Sequence, residues 1–351
     1  MPANKKVRHL FMLNYLTNRK KIPLWKRLND FVLDLLFSCI LFFFAGFSLQ
    51  ATRRFAKISV FLARPFLGSL IRVIEANLKV AFPEYSPAEI RSLRRKNLHF
   101  MVEFGLDFLQ SLKYPKRMEA RMRPFTLPKE LQVPEQAGIF CTPHLGNWEM
   151  LVHFIPSFGR PFVLVATELR SPKLQRLMNQ TRSSTGAEVI PSAGAAWKVH
   201  QALKDNKFVG MLIDQNISPR HGGIFVSFFG LPSATSRLPA AMARRENTMI
   251  ATAACCKNAD GEFEMIYQRL PKSANQYQSD WELTADLVAA NEKLIRQFPE
   301  QYLWIYRRWR YLPSNLSEEQ KKRFPFYALH NKYLCQNEML ETLNKDTENH
   351  E

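Results

Sequence analysis

The apolar positions along this chain change period repeatedly, and each change predicts an element. Short apolar runs at 138–141, 161–166, 187–190, 208–213, 249–254 and 262–268 read as strands. Helical spacing takes over between several of them, at 150–155, 171–183, 195–204 and 281–296. Strands alternating with helices predict an α/β fold, an αβα sandwich around one mixed sheet. Upstream the pattern is helical alone. Residues 55–82 carry apolar positions at helical spacings, with Pro65 placed to kink or end the helix. Ser86-Pro87-Ala88-Glu89 is a helix start, with serine as cap, proline first and glutamate third, and the helix should run to about residue 112. Residues 115–136 read as irregular.

The N-terminus stands apart. Residues 1–27 hold eight Lys/Arg and no acid, and 31–52 are apolar except for Asp34. The uncharged stretch 35–52 is 18 residues long, the lower limit for crossing a bilayer. Arg53 and Arg54 close it. A signal peptide is disfavoured by the late start and the missing small-residue cleavage pattern. The expected organisation is a basic N-terminus and hydrophobic membrane-anchor helix over 1–54, one domain over 55–335, and an acidic tail over 336–351 that reads as disordered. A helix lying in the membrane interface is the competing reading of the anchor.

Charge narrows the partners. A formal charge of +18 and a pI near 9.8 point to a polyanion. No zinc finger or RNP-type aromatic motif accompanies the charge, so anionic lipid fits better than nucleic acid. The five cysteines, Cys39, Cys141, Cys255, Cys256 and Cys335, have neither metal nor disulfide spacing. Walker, Gly-x-Ser-x-Gly, Gly-x-Gly-x-x-Gly and His-Glu-x-x-His patterns are absent, which disfavours NTPase, serine hydrolase, dinucleotide and zincin chemistry.

One turn carries candidate chemistry. Pro143-His144-Leu145-Gly146-Asn147-Trp148-Glu149 follows the first predicted strand and precedes an apolar helical run. His144 therefore sits where a strand hands over to a helix, a common place for a catalytic group in an open α/β sheet. In one continuous helix, residues five apart lie about 140° apart, so His144 and Glu149 can meet only if the histidine is in the turn. Glu149 would then hold one imidazole nitrogen and leave the other as a general base. The plain alternative is a surface histidine beside a capping glutamate. Cys141 next to the turn is a weaker candidate nucleophile.

The stretch His144-Leu145-Gly146-Asn147-Trp148-Glu149 resembles the His-x4-Asp/Glu signature of glycerolipid-type acyltransferases. Its glutamate form, with Gly-Asn-Trp inside, is similar to the late acyltransferases of lipid A biosynthesis, the lauroyl/myristoyl transferase family. Further stretches agree in order: Asn77-Leu78 with Phe82-Pro83-Glu84, Arg182 with Gly186, Asp214-Gln215, Phe228-Phe229-Gly230, and Pro299-Glu300-Gln301-Tyr302-Leu303-Trp304 with Arg307-Arg308. The resemblance spans about residues 30–312.

It implies a membrane-bound O-acyltransferase of the cell inner membrane, its catalytic domain on the cytoplasmic side. The donor would be acyl-acyl-carrier protein and the acceptor a hydroxyl of a lipid A precursor, with no metal and no cofactor. His144 and Glu149 would be the general-base dyad. Arg182, or Arg170 in its place, would stabilise the oxyanion or bind a phosphate, as could backbone N–H groups at the helix start. Asp214 would orient Arg182 or help bind the headgroup, and Arg220 would bind phosphate from a loop. Gly146, Asn147 and Trp148 would form the turn, and Phe228 and Phe229 the acyl tunnel. Arg307 and Arg308 would touch phosphate or neutralise carboxylates. The alternatives are a lysophospholipid or other glycolipid acyltransferase using acyl-CoA, and a catalytically dead membrane-binding relative.

Overall fold

Five parallel strands and one antiparallel strand form the central sheet, in a computed structural model that describes residues 24–126, 128, 137–159, 161–169, 171–314, 316–329 and 334–335. In chain order the strands are β1 (Gly138–Thr142), β2 (Phe162–Ala166), β3 (Ala187–Pro191), β4 (Phe208–Leu212), β5 (Gly223–Phe228), β6 (Leu231–Ser236), β7 (Met249–Lys257) and β8 (Phe263–Arg269). The sheet order is β3-β2-β4-β1-β7-β8, with β8 alone antiparallel. The central strands read as unbroken apolar runs because both their faces are covered.

Among the described residues five α-helices precede the sheet: α1 (Leu24–Phe44), α2 (Leu49–Ala63), α3 (Gly68–Ala81), α4 (Pro87–Lys113) and α5 (Pro115–Glu119). The longer helices among and after the strands are α6 (Pro172–Ser184), α7 (Ala195–Lys204), α8 (Leu238–Glu246) and α9 (Asp280–Gln297), followed by two short ones, Glu318–Lys322 and Phe326–Leu329. Ile139, Cys141, Val163, Val209 and Met211 of the sheet pack with residues of α7, α8 and α9. Phe140, Phe162 and Phe208 point to the other face, where Met150, Val152 and Phe154 of a 3-10 helix, Trp148–Phe158, cover them.

The connections decide where a ligand can sit. From β1 the chain moves past β4 to β2 and β3, whereas from β4 it moves past β1 to β7. The neighbours β1 and β4 thus send their chains in opposite directions, which opens a crevice at their carboxyl ends.

The expected strands all form, within about three residues at their ends. The Ser86 start is a capping box: Ser86 Oγ accepts from Glu89 N–H, and Glu89 Oε2 accepts from Ser86 N–H at 2.8 Å. Pro65 ends α2 in a single 3-10 turn, Arg64–Phe66. The hairpin of β5 and β6 was not expected. Its two turn residues, Phe229 and Gly230, have φ of 49° and 74°, as a primed hairpin turn requires. Phe229 holds this unfavoured backbone because its N–H donates to Glu292 Oε1 at 2.8 Å and its ring packs on Phe82, Phe228 and Trp304.

The anchor expectation gains no support as a single spanning helix. Among the described residues no helix is long and apolar enough to cross a membrane. The uncharged run 35–52 is split between two helices: α1 ends at Phe44, and α2 begins behind Ser48, whose Oγ accepts from Ala51 N–H. Asp34, the one charge in the apolar run, accepts from Ser171 Oγ at 3.3 Å, and Lys173 bonds Ser38, so α1 is fastened to the start of α6. Large apolar side chains stay exposed on both helices and the turn after them, among them Phe42, Phe43, Phe61, Leu62 and Phe66. The basic residues 1–23 and the acidic tail 336–351 lie outside the described residues.

Two buried asparagines tie the N-terminal helices to the far end of the chain. Asn77 Nδ2 donates to the carbonyls of Trp304 and Tyr306 at 2.7 and 2.8 Å. Asn97 Nδ2 donates to those of Glu300 and Tyr302 at 2.8 and 2.7 Å. The segment that follows α9 is thereby held against the crevice.

Candidate active site

A cavity of about 470 Å³ opens at the β1/β4 crevice. Its walls are mainly apolar, with Phe140, Phe162, Leu164, Gly210 and Ala253 from the sheet, Leu151 and Val152 from the 3-10 helix, and Met178 from α6. The polar groups His144, Glu149, Arg182 and Gln215 are concentrated on it.

His144 follows β1 by two residues, and Asp214 follows β4 by two. The two strands are parallel, with Thr142 level with Leu212, so the two side chains leave the sheet at the same height. His144 Nδ1 lies 2.6 Å from Asp214 Oδ1, and His144 N–H donates to Asp214 Oδ2 at 2.8 Å. A carboxylate on Nδ1 fixes the neutral ring with its lone pair on Nε2. That nitrogen lies 3.2 Å from the Gln215 amide. Trp148 backs the ring edge-on, with centroids 4.8 Å apart, and itself stacks on Phe104 at 4.2 Å.

Electrostatics reinforce the pair. Burial alone pushes the imidazole pKa down. The Asp214 charge and hydrogen bond, with a further contribution from Glu149, outweigh it, so the net shift is upward. Burial likewise pushes the Asp214 carboxyl up, but the charge and hydrogen bonds of His144 and the Arg308 charge carry it below its ordinary value.

Glu149 does not hold the imidazole. Its carboxylate is forked by Arg182, with Nη2 at 2.9 and 3.1 Å from the two oxygens and Nε at 3.3 Å. The expected partners are exchanged: Asp214 takes the histidine, and Glu149 takes the arginine. The cause is topological. Glu149 lies on the 3-10 helix beside α6, which carries Arg182, while strand register delivers Asp214 to His144. The side chain of Arg182 is 10% exposed and that of Glu149 16%, so a bidentate pair is held on the cavity wall.

The turn explains its own glycine. Gly146 has φ +64°, and a Cβ there would meet the Cys255 carbonyl oxygen at 2.0 Å. Backbone amides of the turn are already engaged: Leu145 N–H on Pro143 O, Gly146 N–H on Gln301 O, and Asn147 N–H on Cys255 O. These three amides are not free to hold an oxyanion, whereas Arg182 lines the same cavity as His144. Asn147 is buried with both side-chain amide atoms lacking a protein partner.

Residues 27–311 match the model of the bacterial lipid A biosynthesis acyltransferases. The chain belongs to that family and is an acyltransferase. It is 24% identical over 267 residues to the lipid A biosynthesis lauroyltransferase of Escherichia coli K12, covering 73% of this chain and 84% of that relative. It is 23% identical over 277 residues to the lipid A biosynthesis palmitoleoyltransferase of the same organism, covering 72% and 82%. A lipid A biosynthesis acyltransferase of Shigella flexneri matches to the same extent.

Other candidates fall elsewhere in this acyltransferase. Phe228 and Phe229 are buried in the core formed by α3, α4 and the β5/β6 hairpin and do not line the cavity. Arg220 is exposed on the turn Pro219–His221, away from the cavity lining. Arg170 lies outside the described residues. Cys141 is fully buried, and burial pushes its thiol far up, so it is no nucleophile. Gln215 is an addition, hinted at in sequence only by the Asp214-Gln215 pair. Of the two roles expected for Arg308, its burial leaves the neutralising of a carboxylate, Asp214.

Proposed function

We propose that this acyltransferase moves a fatty acyl chain from an acyl thioester to a hydroxyl of a lipid A precursor, with His144 as general base. What carries the reading is the placement of His144: its Nδ1 is held by a buried carboxylate, and its Nε2 is turned to an apolar cavity. In this scheme Nε2 takes the hydroxyl proton as the oxygen attacks the thioester carbonyl. Asp214 stabilises the imidazolium, and the Arg182 guanidinium, pinned by Glu149, stabilises the oxyanion or holds a substrate phosphate. Collapse expels the thiolate, which takes the proton back from the imidazolium. No covalent acyl-enzyme is needed. The apolar wall takes the acyl chain.

The donor we favour is acyl-acyl-carrier protein, whose acidic surface a chain of charge +18 would steer inward. The printed names of the relatives, lauroyl and palmitoleoyl transferases of lipid A biosynthesis, support the acceptor. We place the protein at the inner membrane, on the cytoplasmic side. The support is the exposed apolar side chains of α1 and α2 together with exposed Arg54, Lys57 and Arg64 beside them, a combination suited to an anionic bilayer surface.

The test uses purified full-length protein, acyl-carrier-protein thioester and a lipid A precursor, with mass spectrometry of the product. His144→Ala is expected to lower turnover ~10²–10⁴-fold. Near-normal turnover by that variant overturns the reading.

A further inference from the structure

Arg308 is a buried cation with an unusual set of partners. It is 2% exposed, so no lipid phosphate reaches it. Its guanidinium donates to neutral acceptors: Nη1 to Ala234 O at 2.8 Å and Asn216 Oδ1 at 3.3 Å, and Nη2 to Thr235 Oγ1. Its Nε is buried without a protein partner. A charge in this position is costly unless an opposite charge lies near. The opposite charge is Asp214, two residues before Asn216 in the loop after β4.

The loop and the segment after α9 are stitched together around it. Asn216 N–H donates to Tyr306 Oη at 2.9 Å, and Asn216 Nδ2 donates to Arg307 O at 2.9 Å. The phenol of Tyr302 is buried, and burial with the nearby Asp214 charge pushes its pKa well up. Asn77 and Asn97 hold the backbone of this segment from the opposite side. The carboxylate that receives bonds from His144 N–H and His144 Nδ1 thus has a buried guanidinium charge nearby.

We propose that Arg308 is a positioning residue for the His144–Asp214 pair: it seats the 214–216 loop level with His144, so that the Asp214 carboxylate is turned to the imidazole, and its positive charge offsets part of that carboxylate's pull on the ring. It does not bind substrate. The inference rests on the reading of His144 as the base. The groups that face the pair bear on its pH response: Asp214 meets His144, Tyr302 and Arg308, His144 meets Asp214, Glu149 and Gln215, and Arg308 meets Tyr302, Tyr306 and Tyr327 besides Asp214. Asp214 keeps both bonds from His144 when the guanidinium is lost. Removing that cation therefore favours the imidazolium and raises the pKa of His144.

The experiment titrates His144 by NMR in histidine-labelled full-length protein, with the signal assigned by its loss in His144→Ala. Steady-state kcat and KM are measured against pH in parallel. Arg308→Met is expected to raise the His144 pKa by about one unit and to lower kcat ~10-fold at neutral pH. KM for the acceptor should change little. Arg308→Lys should restore most of the pKa and rate, because it keeps the charge. Should Arg308→Met fail to fold, Tyr302→Phe removes the polar phenol near Asp214 without changing a charge, and a smaller upward shift is expected. A His144 titration unmoved by either variant overturns the proposal, as does a raised acceptor KM with kcat intact. If instead His144→Ala retains turnover, the general-base reading fails, while the NMR titration still decides whether Arg308 acts on His144.

Discussion

Two acid–base pairs face the same cavity, and they differ in kind. His144–Asp214 joins a group that titrates near neutrality to a carboxylate, with side chains 9% and 5% exposed. Arg182–Glu149 joins a permanent cation to a carboxylate and forms a fork of three contacts. The first pair can take and return a proton. The second cannot, and serves as a fixed positive charge whose direction Glu149 sets. The difference matters because sequence spacing groups the four residues the other way. A carboxylate five residues from a histidine looks like its partner, yet the nearer partner in space comes from 70 residues on.

The sharpest way to break this comparison is to neutralise each carboxylate in turn. Asp214→Asn keeps the shape but offers an amide to Nδ1, which favours the wrong tautomer, so kcat should fall ~10³–10⁴-fold. Glu149→Gln leaves His144 oriented and only loosens Arg182, so its loss should be ~10–10²-fold. Single-turnover rates at saturating acceptor would measure both. The reverse order of severity would return Glu149 to the role of imidazole partner.

A smaller effect sharpens the second pair. If Glu149 acts through Arg182, the variants Glu149→Gln, Arg182→Met and their combination should not be additive. The double variant is expected to lose no more than about threefold beyond the worse single one. Full additivity in kcat would mean that the two side chains act on separate steps.

The fold was legible where apolar runs are long, and less so where geometry depends on distant chain. Strands 208–212 and 249–254 announce themselves because burial on both faces leaves their runs almost wholly apolar. The β5/β6 hairpin stayed hidden because its turn is Phe229-Gly230, and a phenylalanine at positive φ is held by Glu292 and by packing, not by local preference. The apolar run 35–52 misled for the opposite reason. It meets the length for one spanning helix, but Ser48 caps a new helix inside it. Within the site, His144, Gly146 and Arg182 could be singled out from motif and turn chemistry. Their pairing could not, since it follows from the register of β1 on β4. One local signal was available: both His144 and Asp214 stand two residues beyond an apolar strand, as level neighbours on parallel strands would.

The pH response separates the pairs most finely. The His144 pKa is raised above its ordinary 6.5, mainly by Asp214 against the opposing pull of burial. A general base must be neutral, so kcat/KM should fall as pH drops through that raised value, with its acid limb above 6.5. Stability runs the other way. A raised histidine pKa stabilises the fold fully below 6.5 and loses that contribution as pH climbs through the folded value. The lowered Asp214 pKa stabilises the fold above 3.8 and loses that contribution as pH falls through the folded value. The pair should therefore favour folding most between 3.8 and 6.5, where the base is protonated and turnover is weakest. In Asp214→Asn the upward pull is gone and burial remains, so the residual activity should show a limb moved below that of the wild type. Glu149→Gln removes only a distant charge, and its limb should move down by a fraction of that amount. Profiles of kcat/KM against pH, run beside thermal melts in the same buffers, test both statements. A limb displaced equally by the two substitutions would show that the two carboxylates share the histidine.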